Sequence, residues 1–529
     1  MAILSSFQLS PVSSPVLLLV AATVVLSVLY RFILYPAFLS PLAKVPAARW
    51  HARISPLYSY YIKYANIENR EVHKLHSRYG PVVRLAPNEL SVNCLDGLKA
   101  IYTADFPKTD WYHNRFCNFE TDNIFTTKDS KQHGQRKRLL SHAYSKSTIL
   151  SSSAIVSTTS TIILDRLFPI LRSGKPVDIH PLNYAYSIDS FTAFQLGAKL
   201  GTNFLQDAAS RSSFLYHFFA PRPHTVFWEV EVRQFTAALL KFLRIRLVPK
   251  WCDESRIANE NYFMDKYDQA AHIVAAEKQS NGDSWPTIYA TATHKYRDGL
   301  ASALPNLKEL YPDLRNQIAT DMFDQTVAAV ETSGNVLSFL HFELARNQDI
   351  QTQLRAELCI LSSVSSNDNW LESINIKTLD SLPLLDAIVL ETLRLYPPVA
   401  GNQPRRTPTV CTIAGYDGIP PGVRVQASAW SLHRNSHVFS FPEIWKPERW
   451  ICSDQELVEM RKWFWAFGSG ARICLGKNFA VISMKMVVAA VYTHFATEFV
   501  GVEEDVIPQN DGYSGGPRGD RVLLQFREI

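Results

Sequence analysis

The sequence has no C-x-x-C pair, and its seven cysteines, at 94, 117, 252, 359, 411, 452 and 474, are scattered and odd in number. No closed disulfide framework fits that count, and no N-x-[ST] sequon occurs. Both absences point to a reducing, cytosol-facing setting. No Gly/Ser tract, block of like charge or internal repeat divides the chain. Its 529 residues therefore read as one large catalytic unit. A dense Lys/Arg tract beside aromatics is also missing, and the net charge of +5 is modest, which leaves nucleic-acid binding without support. At 47% hydrophobic and 12% aromatic, the composition excludes disorder.

Charge is missing from the N-terminus as well: the first charged side chain is Arg31. Before it runs an apolar stretch from Val16 to Tyr30, and Phe32 to Tyr35 extends it to about the ~20 residues that span a bilayer. A cleaved signal peptide would begin with a basic segment, and there is none. Lys44, Arg49 and Arg53 follow the stretch, so the positive-inside rule predicts a luminal N-terminus and a cytosolic remainder. Pro36, Pro41 and Pro46 predict a helix end and a stiff strut. The expected organisation is a transmembrane anchor over 1–35, a proline-rich linker over 36–50 and a catalytic domain over 51–529.

Beyond the linker, Val82 to Leu85 and Leu90 to Val92, joined by Pro87-Asn88-Glu89, predict a β-hairpin. From about Lys128 to Asn347 the periodicity is helical. The longest helix is expected from near Pro312 to Asn347, with Ile318, Met322, Phe323, Val327, Val330, Leu337 and Leu340 at three- and four-residue steps. A β-rich patch between Val399 and Ala429 turns at Pro420-Pro421-Gly422, and a last helix runs from Leu475 to about Phe495. The fold class is mainly α with small peripheral β-sheets.

The most informative stretch is Phe467-Gly468-Ser469-Gly470-Ala471-Arg472-Ile473-Cys474-Leu475-Gly476. A cysteine just before a helix meets unpaired amides and the positive end of a dipole, which predicts a stabilised thiolate. No second Cys or His stands at zinc-like spacing. Two look-alikes fail on context. In Gly470 to Gly476-Lys477 five residues separate the glycines, not the four of a phosphate-binding loop, and Asn478 replaces Ser/Thr. Gly512-Tyr513-Ser514-Gly515-Gly516 fits the hydrolase elbow, but Pro517 follows and no histidine lies downstream.

The cysteine stretch resembles F-x-x-G-x-R-x-C-x-G, the haem-binding loop of the cytochrome P-450 family, at every fixed position. That resemblance implies the cytochrome P-450 fold behind a single N-terminal transmembrane helix, with haem b held through Cys474 as axial thiolate. It implies Arg472 on a haem propionate, Phe467 packing near the sulfur and Gly476 allowing close approach to the porphyrin. Further stretches resemble family motifs in family order. Glu391-Thr392-Leu393-Arg394 places two charges at i, i+3 on one helix face, and Pro447-Glu448-Arg449-Trp450 follows later. In the family the acid and both arginines, here Glu391, Arg394 and Arg449, form a buried network bracing the haem loop. Ala328 to Ser333 resembles the oxygen-activation motif, with Thr332 as donor to the oxygen being activated and Glu331 as proton relay. Ala329 stands where a glycine is usual, and Gly334 is expected to supply that freedom. His133 and Lys137 fall where the family has Trp and Arg facing a propionate, with Arg136 as the alternative to them. Arg405, or its neighbour Arg406, is the other expected propionate partner.

The implied activity is insertion of one oxygen atom from O2 into an apolar small molecule such as a terpenoid, polyketide or alkaloid, in the style of fungal members that tailor secondary metabolites. Electrons are expected from NADPH through a separate membrane-bound reductase, docking on a basic face of Arg136, Lys137, Arg138 and Lys477, with the anchor in the endoplasmic reticulum membrane. By resemblance the pocket is lined by Phe106 to Phe125, the segment around Phe204 to Trp228, Phe323 to Thr332 and Pro398 to Asn402. The rival readings are a haem-thiolate isomerase or dehydratase, which often lacks the acid–Thr pair, and a non-enzymatic haem-binding protein.

Overall fold

The computed structural model describes residues 14–221, 223–276, 282–301, 314–362, 371, 374–501 and 507–529. Six helices position everything that follows: α1 (Ser14–Leu29), α2 (Ser130–Ser141), α3 (Ile179–Leu196), α4 (Leu314–Arg346), α5 (Pro383–Leu395) and α6 (Lys477–His494). The expected start of the longest helix near Pro312 lies outside the described residues; within them it spans 33 residues, ~50 Å at ~1.5 Å per residue.

The apolar helix runs further than its prolines suggest. Helical winding continues from α1 through Pro36 to Leu39, making 25 residues whose most apolar 18-residue window has a mean hydropathy of 2.4 and no buried residue, while Ala37 near the end packs against the protein. The predicted stop at Pro36 is therefore corrected. Residues Tyr30–Leu39 are wound more widely, with the Ser40 amide donating to Tyr35 five residues back, and this register tolerates the missing proline N–H. The linker is also no free strut. Leu42 and Val45 are buried in a core cluster. Fully buried Arg84 donates to the carbonyls of Pro36 (2.9 Å), Arg53 (3.2 Å) and Pro87 (2.8 Å).

The predicted hairpin is β1 (Val82–Ala86) against β2 (Glu89–Val92), antiparallel. It belongs to a four-stranded sheet completed from the later β-rich patch. There β4 (Arg405–Arg406) and β7 (Arg424–Gln426) pair antiparallel, and β7 runs parallel to β2. Between them β5 (Cys411–Ile413) and β6 (Tyr416–Ile419) form a small ladder. A third sheet joins β3 (Val177–Asp178), β9 (Leu523–Glu528) and β8 (Phe495–Phe499) in that order.

The main core lies among α3, α4, α5 and α6. The α3–α4 contact depends on Gly334, where an added Cβ would lie 2.4 Å from Tyr184 Cδ1. Gly334 is thus a close-packing glycine, and α4 is helical throughout, contrary to the expectation that this residue opens the helix. Tyr184 Oη donates to Asn335 (2.6 Å), locking the same contact.

Candidate active site

The Cys474 loop sits between the short helix Asp454–Trp463 and α6. Gly468 and Gly470 take positive φ (69° and 68°), and at Gly470 a Cβ would lie 2.4 Å from the Tyr102 carbonyl oxygen. These turns fold the loop back so that the Cys474 amide donates to the Phe467 carbonyl (2.9 Å). Phe467 packs on the main core. Lys137 on α2 donates to the carbonyls of Ala471 (2.9 Å) and Ile473 (2.6 Å), clamping the loop from the other side. Its ammonium is therefore spent on the loop itself. Burial pushes the Cys474 thiol above its ordinary value, against the opposing amides of Gly476 and Lys477 and the charges of Lys137 and Lys477. Yet the Cys474 side chain is exposed beside the loop, where a bound metal ion would favour the thiolate form.

The α5 motif closes on itself. Arg394 Nε and Nη2 donate to the two Glu391 oxygens (2.8 and 2.9 Å), and Arg449 Nε donates to Glu391 Oε1 (2.9 Å). Trp450 Nε1 and the Lys446 amide fill the remaining acceptor sites of that carboxylate, each at 2.9 Å. The leftover arginine donors reach the carbonyls of His433, Ser440, Pro442 and Ile444. His433, which sequence reasoning missed, carries this network to the cysteine loop. The Trp465 amide donates to its Nε2 (2.7 Å), so Nδ1–H donates to the Arg394 carbonyl (2.9 Å). Burial holds His433 down at about 3, and the ring stays neutral.

A second constellation is left open. Lys108 and Arg405 are brought side by side by a backbone bridge, and both are buried. Arg405 Nη1 donates to Tyr112 Oη (2.6 Å) and lies 5.0 Å over the Tyr102 ring. Lys108 donates to the Phe125 carbonyl and lies over the rings of Phe125 (3.6 Å) and Tyr112 (4.2 Å). Neither has an ion pair among the described residues. Burial, then Arg405 and Arg472, push Lys108 well below its ordinary range. His133 on α2 is buried with Nδ1 unpartnered, and burial followed by Arg472 holds it down at about 3. Arg472 has one carboxylate, Asp105 (3.0 Å), and donates as well to the carbonyls of Thr127 and Lys128. Lys108 and Asp105 were missed because nothing local marks them: Asp105 meets Arg472 from 367 positions away, and Lys108 is set beside Arg405 only by the fold. Arg136 is removed from the expected basic face: it is buried, ion-paired to Asp321 and bound to Thr127.

Over the middle of α4 the burial pattern breaks. Ala328 is exposed, and Asp324, Glu331 and Thr332 are half-buried, while Gly334 to Ala345 are buried throughout. Asp324, Ala328, Glu331 and Thr332 stand at i, i+4, i+7 and i+8, one face of the helix, which therefore borders an internal hollow. Thr332 Oγ1 donates to the Ala328 carbonyl (2.7 Å). Glu331 is raised by burial, opposed by Arg115 and by a hydrogen bond from Ser514. The Gly512–Gly516 stretch is thus a loop over α4, where Gly515 N donates to the Pro398 carbonyl (3.1 Å), and no helix follows it. Trp111, Phe116 and Tyr513 form an aromatic wall, with ring centroids 4.8–5.8 Å apart. Of the expected lining around Phe204 to Trp228, Phe219 meets Tyr184, whereas Phe227 and Trp228 pack on Tyr64.

These residues fit a haem. A porphyrin with two carboxylates would supply the anions that Lys108 and Arg405 lack and a hydrogen-bond partner for the His133 ring. A Cβ on Gly476 would meet no protein atom, so the protein alone does not require glycine there.

The comparisons agree. The cytochrome P450 family model matches residues 54–521, and the chain belongs to that family of haem-thiolate monooxygenases. It is 26% identical to cytochrome P450 monooxygenase BOT4 of Botryotinia fuckeliana, covering 93% of this chain and 88% of the relative. It is 25% identical to tryprostatin B 6-hydroxylase of Aspergillus fumigatus (92% and 81% covered) and to pisatin demethylase of Fusarium vanettenii (91% and 90%).

Proposed function

We propose that this monooxygenase hydroxylates a largely apolar small molecule of fungal-type secondary metabolism, with Cys474 as iron ligand. Its electrons come from NADPH through a separate flavoprotein reductase. The N-terminal apolar helix, wound as far as Leu39, anchors the chain in the endoplasmic reticulum membrane, N-terminus luminal, with the catalytic domain over 51–529 on the cytosolic side. The observation that carries the reading is the convergence on one loop of an accessible thiol, a closed brace and an excess of buried cations. Bound haem supplies oxygen activation at its iron. Arg405, Lys108 and His133 would hold its carboxylates, with Arg472 beside them. Lys137 holds the loop carbonyls, and Glu391, Arg394 and Arg449 hold the loop's support. Glu331 takes protons from the Ser514 side and passes them toward Thr332, whose hydroxyl turns from the Ala328 carbonyl to donate into the hollow. The aromatic wall excludes water and orients the substrate.

The test is a reduced, carbon-monoxide difference spectrum of membranes carrying the full chain, beside Cys474→Ser. A strongly red-shifted Soret band lost in the variant supports the reading. Well-folded parent protein without a haem band sinks it. Dependence of product formation on added reductase separates oxygenation from isomerase chemistry.

A further inference from the structure

The half-buried indole of Trp111, part of the aromatic wall, is held from outside the pocket. It stands on the short helix Asp110–Phe116, and its Nε1 donates to Glu231 Oε1 at 2.8 Å. Glu231 lies 120 positions along the chain, just past the helix Pro223–Val230, with a side chain only 9% exposed. Its carboxylate also accepts from Arg424 Nη1 on β7 (2.8 Å) and meets Lys63 Nζ (3.5 Å). Burial works against ionisation there, but the charges of Arg424 and Lys63 hold the carboxyl down at about 2. The bond to the indole is therefore charge-assisted.

Two plain structural duties fall short of explaining this carboxylate. The first is charge balance. Three acids, Glu68, Glu89 and Glu231, gather around two cations, Lys63 and Arg424, and Glu89 already meets both of them, at 2.7 and 3.5 Å. Burial raises the Glu68 carboxyl to about 7, as befits an acid in surplus. Without Glu231, two acids would still balance two cations. The second duty is docking of the 223–231 segment. Phe227 packs on Tyr60 and Tyr64, and Trp228 on Tyr64, with ring centroids 5.5–6.0 Å apart, so rings already seat it. What Glu231 alone supplies is an acceptor for Trp111 Nε1. The ring so fixed stands 4.8 Å from Tyr513 and 5.2 Å from Tyr112, the partner of Arg405.

We propose that Glu231 is a positioning residue for the substrate pocket: by pinning the Trp111 indole it holds a flat face toward the hollow, and so selects a substrate that carries a planar aromatic group. Trp111 makes the contact, and Glu231 touches no substrate. A ring fixed beforehand loses no freedom when the substrate stacks on it, which favours binding. The inference rests on the monooxygenase reading of the site.

The experiment uses the full-length haem-loaded protein as parent, Glu231→Ala, Glu231→Asp, Trp111→Phe and the Glu231→Ala, Trp111→Phe double variant. The carbon-monoxide spectrum is recorded first. A parent without the thiolate-type band overturns the haem-thiolate reading and this proposal with it; the outcomes below, with the band present, bear on the proposal alone. Imidazole, 1-phenylimidazole and 1-cyclohexylimidazole are then titrated by the Soret shift. The phenyl-over-cyclohexyl preference should fall about fivefold in Glu231→Ala, the size of ring–ring stacking beyond buried area, with imidazole unchanged. Trp111→Phe should give a similar fall and the double variant no further one, because both changes break one contact. Equal weakening of all three ligands by Glu231→Ala, or falls that add in full in the double variant, overturns the proposal. If Glu231→Ala fails to hold haem, Glu231→Asp decides. It keeps the charge beside Lys63 and Arg424 and draws the acceptor back from the indole by one methylene, so a preference equal to the parent's overturns the proposal.

Discussion

The two buried charge constellations of this protein are built on opposite plans. Around Glu391 one carboxylate meets two guanidiniums, an indole and an amide, and leftover donors end on carbonyls. Around Arg405 and Lys108, buried cations rest on one hydroxyl, two carbonyls and rings but meet no carboxylate, with His133 Nδ1 unpartnered nearby. A network that only holds the fold satisfies itself, because an orphaned buried group weakens the folded state. A network that holds a ligand keeps part of its capacity in reserve. The contrast separates structural from binding charges without reference to any relative.

Breaking the closed network should have the largest effect. Glu391→Gln leaves two buried guanidiniums facing a neutral amide, and about 3–5 kcal/mol of stability should be lost. Thermal unfolding and the yield of haem-loaded protein read this out. Glu331→Gln should leave stability nearly intact but slow turnover by about a hundredfold, the lower end expected for a lost proton-transfer group. Product formation per reductase-delivered electron is the measure. His433 sharpens the comparison through pH. Burial holds it at about 3, against ~6.5 in an unfolded chain, so the unfolded state binds the extra proton and stability falls as pH drops below ~6.5. At about pH 5 this one group should weaken the fold by roughly 2 kcal/mol, and denaturant unfolding of His433→Gln should lack that share. The smallest stability effect belongs to the open network. Arg405→Leu should shift apoprotein stability by less than ~1 kcal/mol while haem dissociates roughly tenfold faster. Equal damage to apoprotein and haem retention would erase the distinction between the plans.

What the sequence made legible follows the range of each interaction. The cysteine loop, Glu391 with Arg394, and the strand pair at Val82 to Val92 depend on spacings of a few residues, and each forms where the pattern places it. Arg449 was readable because its motif is compact. The long helix ends one residue before its predicted limit at Asn347. Lys108, Asp105 and His433 were not readable, since their meaning arises from partners brought in by the fold. The same holds for Arg136, whose basic neighbours suggested a surface patch while its true partner, Asp321, lies 185 positions on. Pro36 misled for a different reason: the rule that proline stops a helix assumes ordinary winding, and a wider turn evades it.

Arg84 has a mechanical consequence. By gripping the Pro36 carbonyl at the base of the apolar helix and the Arg53 and Pro87 carbonyls in the domain, one side chain removes the swivel expected between them. A bilayer that sets the tilt of the helix would set the heading of the whole catalytic body, like a keel rather than a mooring line.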